Sequence, residues 1–173
     1  MVNVDLVNLT TEVIDLLAKS GSAFESAHNA RFGENHNLAI ILAEDVRRDL
    51  TAQPAGPKWG YYLAVDRTTR VMIGAGGFKG SPDAAGAVRI GCFAFPEFEG
   101  QGYSTAIARE LVKIAAASGM VTRVLLDTAA KRDSSTIVMG KLGFVLQAEV
   151  EDKGEKRWRW EKEVGKKSEQ NSC

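Results

Sequence analysis

The fold of this chain is decided by one stretch, Pro96-Glu97-Phe98-Glu99-Gly100-Gln101-Gly102-Tyr103-Ser104-Thr105-Ala106. An almost continuously apolar run (87–95) precedes the stretch, and a run with helical periodicity (104–118) follows it. Gly100 and Gly102 lack a Cβ atom, so the backbone between strand and helix can approach a ligand closely. The first N–H groups of a helix have no partner within the helix, and its dipole favours a negative charge beside them. The stretch therefore predicts a strand, a tight turn and a helix whose amino end can hold a phosphate.

Three other interpretations of the two glycines stay open at this point. The glycines can close a tight turn that binds no ligand. A phosphate loop of the Gly-x-x-x-x-Gly-Lys-Ser/Thr type is disfavoured because the lysine is missing. A dinucleotide fingerprint is disfavoured as well, because its third glycine would fall at position 105, which is Thr105.

Hydrophobic periodicity divides the rest of the chain into strands and helices. The predicted strands cover residues 4–9, 59–66, 70–78, 87–95, 121–127, 145–151 and 156–163. Two predicted helices begin at about Leu38 and at about Ser104. Two others are predicted to be capped, one by Thr10 or Thr11 and one by Asp133 or Ser134. Residues 21–36 are too weakly patterned for an assignment. This order predicts a mixed α/β fold in which an antiparallel meander feeds a β-α-β unit.

Composition narrows the class of function. The chain has 173 residues, of which 45% are hydrophobic, so one ordinary globular domain can bury a full core. Its 22 basic and 22 acidic side chains cancel, which leaves no long-range field to attract nucleic acid or a membrane surface. Two cysteines form neither a disulfide framework nor a metal-ligand spacing. We therefore expect a cytoplasmic protein without a metal, a nucleic-acid partner or a membrane partner.

Several motifs in order resemble the GNAT acetyltransferases, particularly the ribosomal-protein N-acetyltransferase-like branch. The stretch quoted above resembles their motif A, and residues 133–144 resemble their motif B, an Asn-x-Ser followed by an apolar helix and Lys-Leu-Gly-Phe. Residues 76–83 and 88–91 are similar to the third and fourth strands of the same branch. The resemblance covers about residues 58–163, whereas the first ~55 residues match only loosely.

The resemblance implies a single α/β domain over residues 1–164. A mostly antiparallel twisted sheet of six to seven strands would carry about four helices and a splayed central strand pair. Residues 1–57 would shape the acceptor side, residues 58–164 would form the acetyl-CoA-binding core, and residues 165–173 would be a flexible tail.

The resemblance also implies which residues contact acetyl-CoA. The pyrophosphate would lie on the backbone of motif A, the pantetheine arm would pair with the end of the fourth strand, and motif B would lie near that arm. The residues carried over are Phe93, Ala94, Phe95, Glu99, Gly100, Gln101, Gly102, Tyr103, Ser104, Thr105, Asp133 and Ser135.

Several positions depart from the family pattern. Glu97 and Glu99 place carboxylates where motif A often has basic or neutral residues, and they would repel a pyrophosphate unless they point away. Arg89 stands where family members often carry a glutamate as general base, and arginine stays protonated. Two roles stay open for Arg89: it binds a carboxylate of the acceptor, or it is an ordinary surface residue of the strand. Proton removal would then fall to water, a backbone carbonyl or a nearby group such as Asp83. The usual motif B tyrosine is absent, and Ser135 is a poor substitute for it.

The resemblance therefore implies an N-acetyltransferase that uses acetyl-CoA as co-substrate and no metal. Its acceptor would be a protein N-terminus, an amino acid or another small amine, and it would act as a monomer or homodimer. The alternative is a catalytically weakened acyl-CoA-binding or sensor module of the same fold.

Overall fold

The computed structural model describes residues 1–52 and 57–165, apart from the side chains of residues 57, 134 and 135. Within these ranges the chain forms seven strands and five α-helices. The strands are β1 (Val4–Asn8), β2 (Tyr61–Asp66), β3 (Met72–Phe78), β4 (Ala87–Ala94), β5 (Arg123–Ala129), β6 (Val145–Asp152) and β7 (Glu155–Glu163). The helices are α1 (Thr11–Lys19), α2 (Gly21–His28), α3 (His36–Ala52), α4 (Tyr103–Ala117) and α5 (Ser134–Lys141). The tail predicted as flexible falls almost entirely outside the described residues.

The strands form one sheet in the order β1-β2-β3-β4-β5-β7-β6. Neighbouring strands are antiparallel except β4 and β5, which run parallel. The apolar run predicted as a central strand is β4, the fourth strand of the order. These observations confirm the predicted mixed α/β, mostly antiparallel fold.

The predicted splayed pair is β4 and β5. The two strands pair only between Ala87–Ile90 of β4 and Arg123–Leu126 of β5. Beyond these residues β4 stays paired with β3, and β5 stays paired with β7. The facing edges of β4 and β5 therefore leave a wedge in which the sheet does not pair their backbone groups.

The sheet separates two hydrophobic clusters. On one face, α4 packs its buried residues Ile107 and Leu111 against the central strands. A Cβ atom on Gly76 of β3 would lie 2.6 Å from the Ile107 side chain, so glycine is required where this helix crosses the strand. On the other face, α1, α2 and α3 cover β2 and β3 and enclose Phe24 and Leu63.

The main difference from the sequence prediction is α2, which lies in the segment judged too weakly patterned to assign. The Ser20 hydroxyl accepts a hydrogen bond from the Ala23 N–H at 3.2 Å and caps the helix. Asn29 ends it in the left-handed conformation, with φ of 46°. Phe24 is its one buried residue, so the helix lacks the repeating apolar stripe that periodicity detects.

Candidate functional site

The turn between β4 and α4 is shaped by two glycines in the left-handed region. Gly100 has a φ of 74° and Gly102 a φ of 88°, a conformation that a side chain would strain. No side chain caps α4 at Gly102, and the first backbone bond of the helix runs from the Ala106 N–H to the Gly102 carbonyl at 3.1 Å. The amides of the first turn therefore lack intrahelical acceptors and point out of the amino end of α4.

A cavity of about 300 Å³ opens at this helix end. It lies on the α4 face of the sheet, beside the end of β4 and the start of α5. Its walls are Ala94, Phe98, Gly100, Gly102, Tyr103, Ser104, Thr105, Asp133 and Val138. Two segments far apart in the sequence, motif A and motif B, thus meet around one space.

Five of the predicted contacts are not assigned to this wall. Phe93 is 48% exposed, and alternation along β4 places it on the opposite face of the sheet from Ala94. Phe95 is buried in the cluster beneath α1–α3. Glu99 and Gln101 are exposed beside the turn, and the side chain of Ser135 lies outside the described residues.

Phe98 and Val138 line the cavity although the sequence analysis did not select them. Phe98 packs edge-on against Tyr103, with 5.7 Å between ring centroids. An apolar residue between two carboxylates was a usable signal for Phe98. Nothing in its local pattern distinguished Val138 from the other apolar residues of its helix.

Tyr103 has a second contact that fixes the start of α4. Its hydroxyl donates at 2.7 Å to Oδ2 of Asp66, the last residue of β2. The other oxygen of Asp66 accepts from the N–H groups of Thr68 and Thr69 at 2.8 and 2.7 Å. Burial, together with the hydrogen bond to Asp66, raises the pKa of Tyr103 to about 12. The β2–β3 turn thus anchors the amino end of α4.

The carboxylate of Glu97 does not stand against the cavity. It accepts a hydrogen bond from the side-chain amide of Asn35, a buried residue just before α3. The Gln101 side chain in turn donates to the Glu97 carbonyl at 3.1 Å. Glu97 therefore ties the turn to the N-terminal part of the domain, which accounts for an acidic residue in this part of the stretch.

Asp133 acts as the cap of α5. Its Oδ1 accepts from the Thr136 N–H at 3.2 Å, while its own N–H donates to the Thr136 hydroxyl at 3.1 Å. The predicted cap is therefore confirmed, and the same residue also lines the cavity.

Arg89 and Asp83 lie on a second cavity, of about 220 Å³, at the other end of β4. Oδ1 of Asp83 accepts from the N–H groups of Ala85 and Ala87 at 2.9 Å each, which fixes the turn before β4. Ala87 and Phe93 are six positions apart, about 20 Å along a strand at about 3.3 Å per residue. The role of Asp83 as a base stays a prediction, and this placement disfavours it.

Within residues 1–52 and 57–165, no group of three or more His, Cys, Asp or Glu side chains is placed to hold a metal ion. None of the helices in these ranges combines the length and apolarity that crossing a bilayer requires.

The chain was compared with known proteins by sequence and by structure. A search of curated proteins gave no sequence match. Similar solved structures include RimL, a ribosomal L7/L12 α-N-protein acetyltransferase in complex with coenzyme A, with a TM-score of 0.62, 14% identity and 94% of each chain covered. The microcin C7 self-immunity acetyltransferase MccE, in complex with acetyl-CoA and AMP, has a TM-score of 0.61, 16% identity, and coverage of 94% of this chain and 93% of that one. Spermidine/spermine N-acetyltransferase SpeG from Vibrio cholerae has a TM-score of 0.59, 11% identity and the same coverages.

At these low identities, the solved structures show only that the fold is shared. The family is shown by a separate match to a family model. The model of the acetyltransferase (GNAT) domain matches residues 24–145, which is more than half of the chain. That range contains both glycines of the turn, the wedge between β4 and β5, and the cap of α5. The chain therefore belongs to the GNAT acetyltransferases.

Proposed function

We propose that this chain transfers an acetyl group from acetyl-CoA to a primary amine. The observation that carries the proposal is the cavity where the uncapped amino end of α4 meets the wedge between β4 and β5. Two proteins of similar fold, RimL and MccE, were solved with coenzyme A and with acetyl-CoA. The acceptor is a protein N-terminus, an amino acid or another small amine, and we retain the cytoplasmic location and the monomeric or homodimeric state as predictions.

The residues around the cavity divide the binding of acetyl-CoA. The backbone amides from Gly100 to Thr105 and the hydroxyls of Ser104 and Thr105 bind the pyrophosphate, because an anion is favoured at a helix amino end. The pantetheine arm enters the wedge and pairs with β4 from Phe93 to Phe95, where β5 has moved away. Asp133 contacts the arm from the start of α5. Glu99, Gln101 and Ser135 stay predicted contacts.

The reaction needs positioning more than special side chains. The nitrogen lone pair of the neutral amine attacks the thioester carbonyl carbon, the C–S bond breaks, and the CoA thiolate leaves. A backbone N–H of β4 stabilises the charge that develops on the carbonyl oxygen. The amine loses a proton to water, and the thiolate takes one from water, because Arg89 remains protonated.

A second candidate function is an acyl-CoA-binding module that has lost catalysis. The presence of Arg89 at the usual glutamate position and the absence of a tyrosine from the α5 sequence favour it. A thiol-release assay on a panel of amines separates the two functions. Turnover on any amine supports the transferase, whereas CoA binding without turnover on the panel supports the module.

The chain offers a matched pair of variants to test the cavity itself. Gly100 and Gly119 lie just outside opposite ends of α4, with φ of 74° and 72°, and a Cβ atom on either would meet no other atom within 4 Å. Gly100→Ala and Gly119→Ala should therefore lose similar stability from backbone strain. Only the first places a methyl group beside the amides that would hold the pyrophosphate.

We expect Gly100→Ala to weaken CoA binding by about tenfold, or ~1.4 kcal/mol, and Gly119→Ala to leave it within a factor of about two. Isothermal titration calorimetry measures the affinities, and thermal unfolding checks that both variants are folded. Equal affinities for the two variants would show that CoA does not bind at this turn.

A further inference from the structure

The face of the sheet opposite α4 carries several charged side chains beside the first half of β4. Side chains alternate along a strand, so Arg89 and Phe93 lie on this face, while Ile90 and Ala94 face α4. The register of β4 with β5 places Arg89 beside Leu125, two residues before Asp127. Lys79 and Arg89 both line the cavity of about 220 Å³ on this side.

The nearby carboxylates are already engaged. Asp127 accepts two hydrogen bonds from Arg159, each 2.9 Å long, in a bidentate pair. The pKa of Asp127 is lowered, first by Arg159 and to a smaller extent by the charges of Arg89 and Lys79. All three cations therefore lie close to one carboxylate that Arg159 already binds through both oxygens. Asp83, the acidic residue of the cavity wall, is held by backbone amides.

Neither Lys79 nor Arg89 forms an ion pair within the part of the chain that the structure describes. The Nε atom of Arg89 is buried and has no hydrogen-bond acceptor among the described residues. A buried donor without an acceptor is costly, and native structures usually satisfy such groups with protein, water or a ligand. A guanidinium and an ammonium that line one cavity are suited to a carboxylate or a phosphate.

We propose that Lys79 and Arg89 bind an anionic group of the acceptor, so that the substrate is an amine that also carries a carboxylate or a phosphate. The statement that the bound anion belongs to the acceptor amine rests on the acetyl transfer proposed above. The anion site itself rests only on this cavity.

The length of the acceptor follows from the position of the two groups. In the proposed complex the thioester lies beside Phe93, where the pantetheine arm begins to pair with β4. Arg89 is four positions from Phe93, about 13 Å along the strand at about 3.3 Å per residue. An arginine side chain that leans along the strand toward Phe93 shortens the separation between the reacting nitrogen and the anion to about 10 Å. Three residues of an extended peptide, at about 3.3–3.6 Å each, span this separation. An acidic group on the third residue of a peptide fits the site, whereas the α-carboxylate of a single amino acid is too close to its amine.

The first experiment measures anion binding without turnover. Inorganic phosphate is titrated at constant ionic strength into the ¹⁵N-labelled protein saturated with CoA, and the backbone amide resonances of residues 79 and 89, which every variant retains, are followed. We expect a saturable shift that Arg89→Gln abolishes and Lys79→Gln weakens. Arg123→Gln is the control, because Arg123 lies on the same face but pairs with Glu161 at 3.4 Å. The absence of a saturable shift, or the same shift in Arg89→Gln, overturns the proposal.

The second experiment measures the choice of acceptor. Ala-Ala-Glu-amide, Ala-Ala-phosphoserine-amide and the neutral Ala-Ala-Gln-amide are compared by thiol release. We expect kcat/KM to be about tenfold higher for at least one acidic peptide than for the neutral one, and Arg89→Gln to bring that ratio close to one. A peptide series with equal rates in the wild type overturns the acceptor assignment. If CoA fails to bind, the proposed function fails, and the phosphate titration repeated on the protein without CoA still decides whether the anion site exists.

Discussion

The two cavities beside β4 are built from different materials. The one on the α4 face is lined by glycine, alanine, hydroxyl-bearing and apolar residues, with the helix-capping Asp133 as its charged residue. The one on the opposite face has walls that include Lys79, Arg89 and Asp83. The shape of the first cavity is set mainly by the path of the backbone. The charge of the second is set by the side chains that the strands present. A site of the first kind is specified by the fold of the whole family, whereas a site of the second kind can differ from one chain to the next.

The largest change in the free energy of unfolding is expected for α4, the helix beside the cavity of about 300 Å³. Leu111 of α4 is fully buried, and Leu111→Ala should lower the free energy of unfolding by about 2–5 kcal/mol through lost burial and an internal void. Ile41→Ala on α3 is the control, because Ile41 is 59% exposed, and its effect should stay within about 0.5 kcal/mol. Chemical denaturation measures both, and similar losses would show that α4 is not packed as described.

The next largest effect is expected from the hydrogen bond between Tyr103 and Asp66, which anchors the start of α4. Tyr103→Phe leaves Asp66 without the hydroxyl that it accepts from, at a cost of about 1–3 kcal/mol. Tyr62→Phe is the matched control, since the Tyr62 hydroxyl donates at 2.8 Å to the neutral carbonyl of Lys58, and about 0.5–1.5 kcal/mol is expected. Tyr103→Phe should also weaken CoA binding, whereas Tyr62→Phe should not. If both variants bind CoA like the wild type, the anchor has no influence on the cavity.

The same anchor predicts a change in stability at alkaline pH. The folded-state pKa of Tyr103 is about 12, above the value of about 10 for an unfolded tyrosine. Its contribution is therefore complete below pH 10 and is lost as the pH rises through the folded pKa. The difference in unfolding free energy between wild type and Tyr103→Phe should shrink over that window. A difference that stays constant up to pH 12 would contradict the assignment.

The smallest effect is expected on the charged face. Asp127→Asn breaks the bidentate pair with Arg159, and because both side chains are partly exposed we expect a cost of about 1 kcal/mol at neutral pH. The pKa of Asp127 is lowered in the folded state, so this stabilisation is present above the unfolded pKa of about 3.9 and disappears as the pH falls through the lower folded value. Asp45→Asn, which breaks an exposed pair with Arg48, should show no measurable loss at either pH. An Asp127→Asn cost that does not decrease as the pH falls below about 3.9 would exclude this pair as its cause.

The cavity on the α4 face could be predicted from the sequence better than the cavity lined by Lys79 and Arg89, for a physical reason. Gly100 and Gly102 mark positions where backbone conformation excludes other residues, so the turn and the start of α4 could be located from the chain alone. The parting of β4 and β5 came from the family resemblance and not from periodicity. The contact between Tyr103 and Asp66 joins residues 37 positions apart, and no local pattern connects them.

The charged face was harder to predict because its contacts cross several strands. Arg89 departs from the family pattern and Asp83 was a possible base on sequence grounds, but spacing along the chain could not show that Asp83 lies at the far end of β4. Lys79 and Arg159 were not selected, since each carries an ordinary surface residue type and acquires its significance only from its neighbours in the sheet. Helix α2 was missed for a related reason, as Phe24 alone does not make a periodic stripe.

The short ladder between β4 and β5 divides the sheet into two sub-sheets, β1–β4 and β5–β7–β6. Only the register pairs from Ala87–Ile90 and Arg123–Leu126 join them edge to edge. Beyond Ile90 the edge of β4 that faces β5 has no partner among the described strands of the sheet, while its other edge stays bonded to β3. An extended molecule that carries amide groups, such as the arm of the proposed co-substrate, can therefore occupy the position of a short missing strand and use hydrogen bonds that the sheet leaves available.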